Sequence, residues 1–432
     1  MQVFVEEVGV WMDSMDRDKH FSHLIPFQAL REPMLKYAIL ACGARHLTLV
    51  NPAAYPESHP LDYYTSAMQL LIESLQNPGR DSVQCATTAT ILNAYEIMSE
   101  LPLQTMNHIT GARALIKECR WDATTIGIGS ACFWLNVGLE LFSCLRYHWG
   151  VAWDPDTWGI DMTMNPQHIP GNEEDWTHKM LWILSKITNF RSTAQPRFQE
   201  TMIDAEQVWL HRRHQQWLNL KQLCDRWHRC VPPTMRTVAC VPAYATSSKS
   251  CFPEVWLIKR TTIVASLFYH TAMVLLGSLH PLAKIQSQTA TNMKDVTVYH
   301  SRQICGLVAH VKDRGVASAS IVCLSIAGEN LFTRREQEEA LQLFDKIKQE
   351  TGWRIANIQD DLKEKWGWNS ISSPSTSNLA SSSLVPSTQP TTFELPKIPS
   401  DVTNPLYKDA DFSAQSPPYE SSYVPPASRS IM

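Results

Sequence analysis

Four short stretches hold residue types able to coordinate a metal or attack a carbonyl. His20-x-x-His23 and His211-x-x-His214 would each place two imidazoles on one helical face. Cys224 and His228 share an i, i+4 relation, with Cys230 close by. None has a matching second half, and no C-x-x-C occurs in the chain, so no metal site is predicted. His211 and His214 are bracketed by Arg212, Arg213, Gln215 and Gln216, which predicts a solvated helix face. Gly127-Ile128-Gly129-Ser130 is only loosely similar to a nucleophile elbow, and Ser130 is read instead as a helix start. No Gly-rich phosphate cradle is present. No catalytic residue is nominated, no cofactor-binding residue is identified, and the chain is expected not to be an enzyme.

The elements that would carry these residues are helices. From Pro33, the apolar residues Met34, Leu35, Ala38, Ile39, Ala41 and Cys42 recur at three- and four-residue spacing, one buried helix face. Proline fits a first turn because its missing N–H has no intrahelical partner there, so Pro33 reads as the start. Arg45 and His46 come a turn later, where an ordinary helix would use them on its last carbonyls. Helices are predicted over 61–77, 82–100, 105–119, 130–148, 175–195, 203–228, 254–280, 296–314, 318–332, 334–351 and 355–366. Short Pro, Gly, Asn and Asp connections imply antiparallel neighbours. Strand-type alternation never persists, so the fold class is all-α, a large array of antiparallel helices.

Residues 150–175 are rich in Pro, Asp, Gly and Trp and are read as a tryptophan-anchored surface crossing, with an internal break of the helical domain as the other reading. Residues 369–432 are dominated by Ser, Pro and Thr without an apolar period, and such a segment cannot bury enough surface to offset ordering entropy. A helical domain over 1–368 with a disordered tail beyond it is therefore expected. Within the tail, Phe393, Tyr407–Phe412 and Tyr419–Tyr423 set aromatic residues beside acidic ones, either plain tail or a short recognition segment.

Composition narrows the class. A 44% apolar fraction and fifteen tryptophans supply a substantial core for 432 residues. The net charge of −4 argues against strong nucleic-acid binding by these residues alone. Arg212-Arg213, Lys259-Arg260 and Arg334-Arg335 are too short to be basic recognition patches. Eleven scattered cysteines predict no disulfide framework and a reducing compartment. Met1–Trp11 lacks the features of a secretory signal, and Thr262–Leu279 is read as a buried helix rather than a membrane span.

Several stretches, taken in order, resemble the fungal-specific transcription factor domain of zinc-binuclear-cluster regulators, in its second large subfamily. Trp11-Met12-Asp13 with Phe21 and Pro26-Phe27 is similar to the family's opening WMD…F…PF, and Leu35–Leu47 to its LxxAILALSARHL helix. Tyr63–Leu75 resembles the YYxxALxLLxxxL helix; Ala94-Tyr95-Glu96 and Gly111–Ile116 resemble LYE and GAxALI. Phe133-Trp134, Glu140, Leu145, Asp154-Pro155 and Trp158 resemble the FWxxLRQExxxAL helix and its outgoing loop, with Gly138 where arginine is usual. Ala327-Gly328, Thr351-Gly352-Trp353 and Trp366-Gly367-Trp368 resemble the AG…TGW…WG closure.

The resemblance implies a nuclear transcription regulator of a metabolic or biosynthetic gene set, with a helical domain that restrains or licenses activation. Family members carry an N-terminal C-x2-C-x6-C cluster that holds two zincs and reads DNA. This chain begins inside the helical domain. Either the gene model starts late, or the protein is a regulator without its own DNA reader. Zinc and DNA are thus implied only through that module. The implied partners are a second copy or a homologous regulator, and the transcription machinery through the tail, with no membrane. The alternative is a DNA-binding-deficient partner that titrates a homologous regulator; an all-α enzyme is the third reading.

Overall fold

The computed structural model describes residues 1–99, 107–164, 173–193, 203–283 and 285–368. The expected tail, with Phe393 and the two aromatic-acidic segments, lies outside them, as do 165–172 of the connecting stretch.

The described residues form an all-α array. An N-terminal segment of short helical turns, from Phe4 to Ala29, precedes α1 (Pro33–Val50), α2 (Ser58–Leu75), α3 (Ser82–Ser99), α4 (Asn107–Glu118) and α5 (Ile128–Tyr147). After the crossing come α6 (Glu173–Ser192), α7 (Ile203–Cys230), α8 (Arg260–Ser278), α9 (Ser287–His310), α10 (Ala317–Gly328), α11 (Arg334–Thr351) and α12 (Ala356–Lys365). Pro33 occupies the first turn of α1 as predicted. That helix packs on α2, α3, the N-terminal segment and α11. In the second half α8 is the hub, lying against α6, α7, α9 and α10.

Hub helices must be apolar all round, because no face is left for water. Every residue of α10 is buried, and so is nearly all of α8. Among the described residues two helices, α5 and α8, are long and apolar enough to cross a membrane by length and composition; 78% and 83% of their apolar windows are buried inside the fold. By contrast α11 is amphipathic, burying Ala340, Leu343, Phe344 and Ile347. Its predicted bounds are met because both ends are fixed chemically. Thr333 and Glu336 form a reciprocal capping box, and Gly352 adopts φ 73° at the exit. A side chain at Gly352 would also run into Leu49, at 2.6 Å.

Three expectations fail. The helix predicted from Glu254 begins only at Arg260. Residues Glu254–Trp256 instead pair antiparallel with Ala239–Val241 as β2 with β1, in the register Cys240↔Val255. The apolar run Val255–Ile258 looks like helix on hydrophobicity alone, but tertiary pairing draws its β-favouring residues into a ribbon. Ser130 is not a helix start: α5 begins two residues earlier, with Gly127 at φ 69° before it and no side-chain cap. Arg45 and His46 are not at a helix end either, since α1 continues to Val50.

Candidate functional site

The residues first nominated for chemistry do not converge. His20 is buried and pairs with Asp16 at 2.9 Å, whereas His23 is exposed. His211 is exposed, and His214 lies against Trp217 and His280, with ring centroids 6.4 and 5.6 Å away. Cys224 is buried, and burial pushes its thiol up to about 12, far from a reactive thiolate. His228 stacks on Tyr269 at 4.7 Å. Among the described residues no three His, Cys, Asp or Glu side chains are arranged to hold a metal.

What gathers around Tyr269 is a pair that sequence reasoning missed. His270 and His300 share a hydrogen bond between their Nδ1 atoms, 2.7 Å long. One ring must donate and the other accept, so the accepting ring is neutral. Burial, the neighbouring His300 and then His228 hold His270 well below the usual imidazole range. Burial, then His228 and Lys221, hold His300 down to about 4. The two residues lie on α8 and α9, and only the packing of those helices brings them together.

The motif residues do converge, as a staple. Trp11 meets Trp353 edge to face at 5.3 Å, joining the first motif to the penultimate one. Asp13 turns its carboxylate back to accept from the Phe21 N–H, the Ser22 N–H and the Ser22 hydroxyl, at 2.9, 2.9 and 2.5 Å. Burial nevertheless raises Asp13 to about 6, because three donors do not fully replace water. Arg45 is buried and ion-pairs with Glu57, which Arg354 also reaches at 3.3 Å. Tyr64 donates to Glu96 at 2.8 Å across α2 and α3, and Arg260 donates to the Val10 carbonyl at 2.9 Å.

Glu140 has a comparable role in the middle of the chain. It faces Arg113 at 3.3 Å, both buried, and accepts from the backbone N–H of Ala152 and Trp153 at 2.6 and 3.0 Å. It thereby fixes the crossing as it leaves α5, and Trp153 and Trp158 go inward, as the tryptophan-anchored reading expected. Gly138, where the family has arginine, leaves space that the Met15 methyl occupies. At the far end Trp366 donates to the Gly328 carbonyl at 3.0 Å, and Trp368 lies under the Arg334 guanidinium at 3.3 Å.

A cavity of about 410 Å³ opens where the C-terminal ends of α5 and α10 meet α12. Leu145, Ile326, Ile358 and Leu362 make its floor. Two ion pairs stand at the rim: Arg146 with Asp361 at 2.7 Å and Lys365 with Glu329 at 2.5 Å. His148 lines one wall and hydrogen-bonds the Arg191 guanidinium. Burial first, and Arg191 second, hold His148 down to about 4, so it stays neutral and accepts at Nε2.

Comparison with known proteins bears directly on the staple. Residues 2–131 match the family model of the fungal specific transcription factor domain. The chain resembles that domain. Trp11, Asp13, Arg45, Tyr64, Glu96 and Arg113 fall inside the match; the partners Glu140, Arg260, Trp353 and Arg354 lie beyond it. A curated relative, the transcription activator AMTR1 of Alternaria alternata, is 21% identical over 484 aligned positions. The alignment covers 85% of this chain and 63% of that relative's length. No solved structure matches the chain. The cavity, lined by residues from 145 to 365, lies outside the span matched to the transcription factor domain.

Proposed function

We propose that the chain is the regulatory, effector-responsive half of a fungal transcription regulator of the zinc-cluster type, acting in the nucleus on a metabolic or biosynthetic gene set. The observation that carries the reading is the match of residues 2–131 to the transcription factor domain. Its support is the similarity to a transcription activator over most of this chain. The staple between motifs at both ends speaks for one regulatory domain over 1–368, with the segment beyond it reaching the transcription machinery. DNA recognition and zinc belong to a separate N-terminal module of the kind the family carries, and no residue of this chain is assigned to them.

In this reading the helical domain holds activation in check and changes state when a small molecule or partner binds between its helices. A ligand shifts such an equilibrium only by its differential affinity for the two states. The test is a fusion of the full chain to a foreign DNA-binding domain in front of a reporter. A regulator changes reporter output relative to the DNA-binding domain alone. Unchanged output overturns the reading, and a stable complex with a homologous regulator in that case identifies a titrating partner instead.

A further inference from the structure

From the cavity between α5, α10 and α12 we infer a binding site for a small zwitterion with a large apolar side chain, the chemistry of a free α-amino acid. Two features carry this. The first is shape and polarity. Four aliphatic side chains, Leu145, Ile326, Ile358 and Leu362, floor a volume of about 410 Å³ that opens at a charged rim. The other lining side chains are polar or charged, a mixed surface suited to a ligand with an apolar body and a charged head, and volumes of this order are typical of small-molecule sites.

The second is the rim. Four of its five charges form two pairs, Arg146 with Asp361 and Lys365 with Glu329, and Glu364 adds a third carboxylate on the side that faces an ammonium. A zwitterion presents a carboxylate to Arg146 and Lys365 and an ammonium to Glu329 and Asp361, so each displaced partner is replaced by one of like sign. A simple acid or amine replaces only half of them. The exchange is inexpensive because the pairs are wet: the Arg146 and Asp361 side chains are 28% and 53% exposed, and those of Lys365 and Glu329 48% and 33%. Ion pairs that exposed hold each other weakly. His148 adds direction. Its Nε2 is occupied by Arg191, so the neutral ring carries its proton on Nδ1, a donor of no net charge that adds nothing to the balance.

The cavity sits where three helices meet, so a bound ligand would touch the closing helix α12 and the core helix α10 together. This deepens the regulatory reading and rests on it for the consequence of binding, while binding itself is measured on the chain alone. Calorimetric titration of the full chain with L-leucine, L-phenylalanine and L-tryptophan, up to about 10 mM, is the experiment; ligands this small commonly bind in the millimolar range or below. At least one should bind, and at least about tenfold tighter than its matched amine or acid, phenethylamine or 3-phenylpropionate for phenylalanine. Glu329→Gln and Lys365→Met, both at exposed positions, should each weaken that binding by at least about tenfold while leaving the helical circular dichroism unchanged.

No binding by any of the three, equal binding of amine, acid and zwitterion, or wild-type affinity in both variants overturns the site. The amine and acid comparison uses the unaltered chain, so a variant that misfolds does not decide it. Absent binding beside an active reporter fusion removes the ligand and leaves the regulatory reading; binding beside a silent fusion does the reverse.

Discussion

Trp11 and Trp353 pack edge to face with ring centroids 5.3 Å apart, so the first turn of the fold rests on the segment that leaves α11. Both rings are buried, at 4% and 9% exposure. Truncating a buried tryptophan removes its contact area and leaves a cavity. Trp353→Ala should therefore cost about 3–5 kcal/mol in urea unfolding. A double-mutant cycle with Trp11→Ala should return a coupling of about 0.5–1.5 kcal/mol, the part owed to the ring pair itself. Additive single effects would show that the two ends are held elsewhere.

Glu140 serves both a buried ion pair with Arg113 and two backbone N–H groups of the crossing. Removing it leaves a buried guanidinium short of a carboxylate and two donors without acceptors. Glu140→Ala should cost about 3–5 kcal/mol and should expose the 149–164 stretch to proteolysis before global unfolding. A variant as protease-resistant as the wild type would mean the tryptophans alone fix that loop.

Stability should depend steeply on acid. Burial first, with Arg314 adding to it, holds His46 down to about 4. Burial takes His178, stacked on Trp134, to about 3 and His300 to about 4. A histidine whose folded value is depressed contributes stability in full above its unfolded value, near 6.5, and loses it as pH falls toward the folded value. Three such groups should remove on the order of several kcal/mol between about pH 6.5 and 4. Asp13 acts in the opposite sense. Its folded value is raised to about 6, so its contribution is complete in acid and is lost as pH rises through that value. His178→Gln should accordingly flatten the stability–pH curve, and Asp13→Asn should steepen it, in denaturant midpoints across that range.

Thiol reactivity should be selective. Cys42, Cys85, Cys132, Cys224, Cys305 and Cys323 are buried, and Cys240 on β1 is exposed. Burial raises all six of the former, which lowers the thiolate fraction available to an alkylating reagent. Mass mapping after brief native treatment with iodoacetamide should find Cys240 modified first. Early labelling of Cys224 would contradict the burial of the α7–α8 contact.

Much of the fold was legible because helix periodicity and its punctuation are local. Pro33 started α1, and the Arg334–Thr351 prediction matched its helix to the residue, with Thr333, Glu336 and Gly352 fixing both ends. What failed was non-local. Glu254–Trp256 became one strand of a ribbon because it had Ala239–Val241 to pair with. Ser130 lost the start of α5 to a glycine in a backbone conformation that spacing does not reveal. For the site, the motif residues could be named from their order alone, but not that Trp11 finds Trp353 or that Arg45 and Arg354 share Glu57. The cavity left no trace in the sequence, because its wall is drawn from α5, α10 and α12 and each contributes only one or two aliphatic residues beside its charges.

Regulation of transcription by this chain is tested most directly by one measurement: reporter output from the full chain fused to a foreign DNA-binding domain, beside the same fusion carrying Trp353→Ala. Output should differ from that of the DNA-binding domain alone and should shift when the Trp11–Trp353 staple is broken. Output equal to that of the bare DNA-binding domain, from a fusion shown to be folded and nuclear, would contradict a regulatory role.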